Sequence, residues 1–307
     1  MLKRSKEFII ISGQDRHRLQ QDLRSRRTGE RQDGTMKSNA KNLRSGITDV
    51  RRIVVKVGTS SLVHKNGKMN LKRIEKLARV VSELKNQGRE VILVSSGAIG
   101  VGTEALKLPE KPSTVSGRQA AAAVGQVQLM QVYSRLFAEY GYNVAQILLT
   151  RDTMDAAEAR QNAVNTFTAL LDMGVLPVVN ENDTIAVDEI KFGDNDNLSS
   201  IVARITKADL LVILTDIDGY YKDNPNVCPD AEMYHTVTDL SEAIEAAAGG
   251  AGSKLGTGGM LTKVHAARLA ASEGIWAVIA NGQEPEVLYK ILDGEDVGTA
   301  FVPEKAR

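Results

Sequence analysis

The chain predicts an α/β fold: a three-layer αβα sandwich around a mainly parallel central sheet. Two observations carry this. Short apolar runs of strand length alternate with amphipathic stretches of helical period, a rhythm that calls for right-handed crossovers and a sheet covered on both faces. The apolar residues are also overwhelmingly aliphatic, with aromatics at 4%, which suits packed helices and parallel strands better than an aromatic-rich β sandwich.

At 307 residues there is ample length to bury a core. The formal net charge of +1 gives no general reason to expect nucleic acid or an anionic membrane as partner. The single cysteine, Cys228, excludes internal disulfides and fits a reducing compartment. His17, His64, His235 and His265 have no ligand-like spacing, so a zinc site is not expected. No apolar run approaches the roughly 20 residues that span a bilayer. The N-terminus has neither an apolar core nor a small-residue cleavage site, so a cytoplasmic protein is expected.

Residues 1–50 are rich in Arg, Lys, Gln, Ser and Asn and are read as a basic, solvated extension. The alternative is a nucleic-acid-binding arm, which no aromatic interleaving supports. Met36 offers a second start of translation.

From residue 51 a single domain is expected. Its first strand, IVVKVG, carries Lys56 within an otherwise apolar run and ends at Gly58. A lysine inside a buried strand is costly without an anionic partner, and its position suggests that the partner is a ligand. The alternative is an edge strand with Lys56 in water. A helix over 71–87 follows, with Leu71, Ile74, Leu77, Ala78, Val81 and Leu84 on one face.

The second strand runs into SSGAIGVG, read as a glycine-spaced loop whose small residues let a ligand approach the backbone. Its Gly97, Gly100 and Gly102 do not have dinucleotide-fingerprint spacing. A long helix over 117–139 contains the alanine run 120–123, which permits close packing. Strand 143–150, helix 156–173 and strand 175–180 continue the alternation.

The stretch VVNENDTIAVDEIKFGDNDNLSS, residues 178–200, gathers amides and carboxylates at a strand end and at a helix start. It reads as a short hairpin whose ends converge where an open α/β sheet places ligands, although Asn and Asp also serve simply as turn and cap residues. Helix 197–206 and strand 210–215 follow, then Asp216 and Asp218, of which Asp218 before Gly219 reads as a turn former. A short helix is predicted over 240–248. The run GGAGSKLGTGGMLTK then delivers glycines, Thr257, Thr262 and Lys263 into a helix start, a plausible phosphate cradle or else a flexible linker. It lacks the Gly-Lys-Ser/Thr ending of a P-loop. The last strand is placed at 275–280, before a short helix near 286–292.

The gathered candidates are two lysines, acidic and amide groups, and two glycine-rich segments, without histidine or a reactive cysteine. Phosphoryl transfer fits, because its catalysis is mostly positioning and neutralisation of spreading negative charge. A carboxylate acceptor, with a pKa of roughly 4, would need no general base. Lys56 and Lys263 would flank the transferred group, and a buried carboxylate between them, assigned to Asp196, would keep both charged and aimed.

The segments VVKVGTSS, VSSGAIGVG, RQAAAAVGQ, LLTRDT, VVNENDT, EIKFGDNDNLSS, LTDIDGYY and GTGGMLTK occur in the order seen in the glutamate 5-kinase group of the amino acid kinase family, which the chain resembles over residues 52 to 303. The fold implied is that of acetylglutamate kinase and its relatives. The resemblance implies ATP-dependent phosphorylation of the γ-carboxylate of L-glutamate, the first step of proline biosynthesis, with Mg2+ as counter-ion and proline as feedback inhibitor.

By resemblance, Ser96, Asp183 and Asn195 would hold glutamate with Asn180 nearby, and Lys56 would contact ATP and the phosphoryl group. Thr215 and Asp216 would meet the nucleotide, while Thr257, Gly258, Gly259, Met260, Leu261, Thr262 and Lys263 would meet its phosphates. No residue is expected to bind Mg2+ other than through ATP. Glutamate would occupy the N-terminal part and ATP the part from about residue 207. A homo-oligomer and a reductase that consumes the unstable acyl phosphate are expected partners, without membrane or nucleic acid. Many bacterial relatives carry a C-terminal PUA domain, which is not expected in a chain stopping at Arg307. The runner-up is another acid kinase of this fold.

Overall fold

A computed structural model of the chain describes residues 44–64, 66–150, 155–185, 195–225, 227–242, 244 and 259–304, all within the unit Arg44–Arg307. The lysine-bearing segment is its central strand. β1 (Arg52–Val57) pairs in parallel with β2 (Glu90–Ser95) on one side and β5 (Leu210–Thr215) on the other. The edge-strand alternative for Lys56 is thereby excluded.

Outward from β2 lie β4 (Leu176–Glu181) and then β3 (Val144–Leu149), both parallel. Outward from β5 lie β7 (Trp276–Asn281), β8 (Thr299–Phe301) and β6 (Thr236–Val237). β8 runs antiparallel to β7, and β6 is parallel to β8. The predicted last strand is therefore followed by another: residues 299–301 join the sheet between β7 and β6. Strands of two and three residues are too short to show the alternation that reveals a strand in sequence.

Alternating side chains divide β1 between two cores. Ile53, Val55 and Val57 enter one with α2 (Leu71–Asn86), α4 (Val115–Ala138) and α8 (Val287–Leu292); it includes Leu77, Leu129, Tyr133 and Ile291. Val54 enters the other with α5 (Ala157–Asp172), α6 (Asn195–Ile205) and α7 (Met260–Ser272), represented by Phe167, Val202, Val264 and Ala267. These are the three predicted layers. Lys56 shares the parity of Val54 and so belongs to the α6 and α7 side. Asn70 starts α2 by accepting from the Arg73 amide, and Thr114 starts α4 in the same way from Gly117.

The glycine-spaced segment after β2 is helical, not an open loop. One turn, α1 (Thr59–Leu62), follows β1, and α3 (Ala98–Ala105) follows β2. Only Gly97 keeps a left-handed conformation there, with φ +103°. Gly102, with Gly125 opposite it, serves the contact of α3 with α4. A Cβ on Gly102 would lie 1.7 Å from the Ala121 carbonyl oxygen, and one on Gly125 would lie 1.8 Å from that of Ala98. Ala121 and Ala122 are buried in the same contact, the close packing expected of the alanine run.

The last residues of the predicted extension, 44–50, belong to the fold. Ser45–Ile47 form a 3-10 turn, Ile47 and Val50 are buried, and Arg44 is 1% exposed. The Arg44 guanidinium donates to the carbonyls of His235, Glu295, Val297 and Gly298 and lies 3.0 Å from the Asp296 carboxylate. Residues 1–43, the centre of the predicted hairpin at 186–194 and most of the helix predicted over 240–248 lie outside the described residues. Among the described residues no helix is long and apolar enough to cross a membrane.

Candidate active site

Lys56, Asp196, Thr262 and Lys263, and beside them Ser96, Asn180 and Asn195, collect at the C-terminal ends of the parallel strands in two connected groups. The first is charged. Lys56 reaches from β1 on the side covered by α6, whose first turn presents Asp196, and α7 brings Lys263 to the same carboxylate. Lys56 Nζ lies 2.6 Å from Asp196 Oδ1 and Lys263 Nζ lies 3.1 Å from Oδ2. The residues are 6%, 8% and 2% exposed, so the three charges are almost removed from water.

Burial alone would raise the Asp196 pKa, but Lys56 and Lys263, with hydrogen bonds from Lys56 and Thr262, hold it below the usual carboxylate range. Asp196 is therefore ionised and both of its oxygens face cations. Thr262, assigned by resemblance to the ATP phosphates, also has its hydroxyl 2.7 Å from Asp196 Oδ2 and 2.9 Å from the Gly259 carbonyl oxygen. Gly58 leaves room beside this centre: a Cβ there would stand 3.6 Å from Lys56 Nζ.

The second group is neutral. Asn195, beside Asp196 on α6, directs Nδ2 to the Ser95 carbonyl at 3.1 Å, to Ser96 Oγ at 2.9 Å and to Asn180 Oδ1 at 2.9 Å. Asn180 at the end of β4 in turn donates from Nδ2 to Gln126 Oε1 at 2.9 Å. Ser95 Oγ lies 2.9 Å from the Tyr133 hydroxyl, which burial pushes up to about 12 although the Ser95 hydrogen bond opposes the shift. Ser96, Asn180 and Asn195 are thus brought together as expected. Asp183 lies in the turn after β4; burial raises its carboxyl to about 6, partly opposed by the charge of Lys111.

At the end of β5, Thr215 is buried and its hydroxyl donates to Asp216 at 3.2 Å. Asp218 accepts from Asn281 at 2.8 Å, across the ends of β5 and β7. Gly259 caps α7, Met260 and Leu261 form its first turn, and Leu261 is 42% exposed. Thr257 and Gly258 lie outside the described residues.

Gln126 was not among the predicted site residues. Its signal is present nonetheless: Ala122, Gln126, Leu129, Tyr133 and Phe137 recur at helical spacing and are all buried, so one glutamine interrupts an apolar stripe.

An open α/β sheet with a buried lysine–carboxylate–lysine centre at its strand ends defines a phosphotransferase of the amino acid kinase type. The chain belongs to the amino acid kinase family, whose model matches residues 51–281. It is 53% identical over 267 residues to glutamate 5-kinase from Clostridium perfringens, covering 86% of this chain and 99% of that protein. It is 51% identical to glutamate 5-kinase from Listeria innocua, with 86% and 97% covered.

Solved structures share the fold at much lower identity. UMP kinase from Bacillus anthracis matches with a TM-score of 0.56 at 18% identity, over 83% of this chain and 97% of that one. Carbamate kinase from Giardia lamblia matches with a TM-score of 0.59 at 15% identity, over 84% and 100%.

Proposed function

We propose that this chain transfers the γ-phosphoryl group of ATP to the γ-carboxylate of L-glutamate, giving L-glutamyl 5-phosphate and ADP, the first step of proline biosynthesis. The observation that carries this reading is one buried carboxylate, Asp196, held between Lys56 and Lys263 beside an amide cluster. The similarity to glutamate 5-kinases supplies the substrate.

A carboxylate oxygen of glutamate attacks the γ-phosphorus, forming an O–P bond as the bond to the β,γ-bridging oxygen breaks and ADP departs. The acceptor is ionised at neutral pH, so no proton is removed and no base is needed. The chemistry requires stabilisation of charge spreading over the phosphoryl oxygens and the leaving group. Lys56 and Lys263 provide it as catalytic cations, and Asp196 positions them. Ser96, Asn180, Asp183 and Asn195 bind glutamate, while Thr215, Asp216 and residues 257–263 serve ATP.

Magnesium would be carried by the ATP phosphates. Among the described residues no three metal-ligating side chains cluster, and both Asp196 oxygens are committed to lysines, leaving that carboxylate poorly disposed to ligate a cation. Proline presents the same α-carboxylate and a cationic amine, so it would inhibit by competing for the glutamate subsite. A homo-oligomer in the cytoplasm, followed by a reductase that consumes the acyl phosphate, completes the reading.

ADP release with glutamate, acetylglutamate and aspartate, each with and without proline, tests it. Release with glutamate alone, suppressed by proline, is expected. Equal or faster turnover of acetylglutamate or aspartate would move the chain to another acid-kinase specificity.

A further inference from the structure

The two amides of the neutral group could each point either way, and only one orientation fits this pocket. The choice starts at the backbone. The Ser95 carbonyl can only accept, so the Asn195 atom 3.1 Å away must be the donor Nδ2. Asn195 Nδ2 also faces Asn180, which must therefore answer with Oδ1. Asn180 Nδ2 then points to Gln126, which must answer with Oε1. Three residues on α6, β4 and α4 form a one-directional relay, with Asn195, Asn180 and Gln126 at 8%, 2% and 8% exposure.

The far end of the relay is a free acceptor. Asn195 Oδ1 is buried without a hydrogen-bond partner among the described residues. Leaving a buried acceptor unmet is costly, so the arrangement calls for a ligand that donates. A protonated amine is such a donor. A joint flip of Asn180 and Asn195 would set Asn195 Oδ1 against the Ser95 carbonyl, so the orientation that offers an oxygen to an ammonium group is the one the backbone dictates.

We infer that Gln126 is a positioning residue for amine recognition: by accepting from Asn180 it anchors the amide that holds Asn195, and so keeps Asn195 where its oxygen meets the substrate ammonium. This rests on the glutamate reading above. Gln126 touches no reacting atom, and its effect passes through Asn180. A residue with an acceptor at the same reach preserves the anchor, and one without it leaves Asn180 Nδ2 buried and unmet, so that Asn180 no longer holds Asn195 in place.

The test compares the full-length chain with Q126M, which keeps the length of the side chain and removes its acceptor, and Q126E, which keeps the acceptor. The substrates are L-glutamate and glutarate, which differ by the amine. In Q126M the preference for glutamate over glutarate in kcat/KM should fall about tenfold or more, with the loss in glutamate KM exceeding that in kcat. Q126E should restore most of that preference. An unchanged glutamate-to-glutarate ratio in folded Q126M overturns the proposal, as does an equal loss in Q126E of unaltered melting temperature. Calorimetric binding of the two ligands separates the two readings: if the wild-type chain releases no ADP with glutamate yet binds it over glutarate, and Q126M does not, the activity fails and the relay stands.

Discussion

A lysine in the middle of a central strand must carry its counter-charge with it, and Asp196 answers two such lysines at once. Removing the carboxylate leaves two buried ammonium groups facing each other. Asp196→Asn should therefore cost about 3–5 kcal/mol of stability as well as most of the activity, read by denaturant unfolding alongside ADP release. Lys56→Ala and Lys263→Ala should each lower kcat at least about a hundredfold, with a smaller effect on melting temperature. Turnover near the wild-type rate in both would remove these lysines from the mechanism.

The two carboxylates titrate with opposite sign. The lowered pKa of Asp196 contributes stability above the ordinary carboxylate value and loses it as pH falls toward the folded value. Asp183 is raised to about 6, so the fold favours its neutral form; its contribution to stability declines as pH rises from the unfolded value to about 6 and is level beyond. If ionised Asp183 grips the ammonium group, glutamate KM should rise as pH drops below about 6, and Asp183→Asn should weaken binding and flatten that dependence. A pH series of KM at saturating ATP reads both.

At this scale the sequence spoke through cost. Lys56 stood out because a charge in an apolar run is expensive, and Asp196 because a pair of lysines needs one. Gln126 did not stand out: a glutamine is helix-compatible, and only its place in a stripe of buried residues marks it.

Among the elements, the contact of α3 with α4 is the least forgiving. Gly125 and Gly102 meet backbone carbonyls of the opposite helix, so neither tolerates even a methyl group without separating the helices. Gly125→Ala should lower stability by about 2 kcal/mol or more and raise glutamate KM, since α4 carries Gln126 beside it. Thermal unfolding with a glutamate titration checks both effects. The glycines were read in sequence as a ligand-binding loop because small residues after a strand suit either a backbone–ligand or a helix–helix approach. Periodicity separates strand from helix but not these two uses of glycine. The long strands and helices were legible for the converse reason: their burial repeats over enough residues to register.

Across the whole molecule the β-α rhythm conveyed a mainly parallel, three-layer sheet, while the strand order and the reversed β8 and β6 rest on pairings between distant segments that leave no local trace. Arg44 is a second case. It lies among basic residues typical of a solvated extension, yet it fastens four carbonyls around the β6 and β8 edge. Arg44→Ala should destabilise the fold by about 2–4 kcal/mol, chiefly through those unmet acceptors. The loss should appear first as faster amide hydrogen exchange at Thr236–Val237 and Thr299–Phe301, with β1 and β2 exchanging later.

The chain lays down β1 at the centre, builds one side with β2, then the edge strand β3 and β4 between them, and only then returns with β5 to the other side of β1. During synthesis Lys56 therefore leaves the ribosome well before Asp196, and Lys263 later still. Until α6 is made, the innermost strand carries a naked positive charge and lacks one of its two neighbours. The first half of the chain is consequently a poor folding unit: its core closes only when the second half delivers both the missing strand and the missing carboxylate. Catalytic competence and a closed core thus arrive together, late in the birth of the molecule, so that an interrupted nascent chain would be unfinished in both respects.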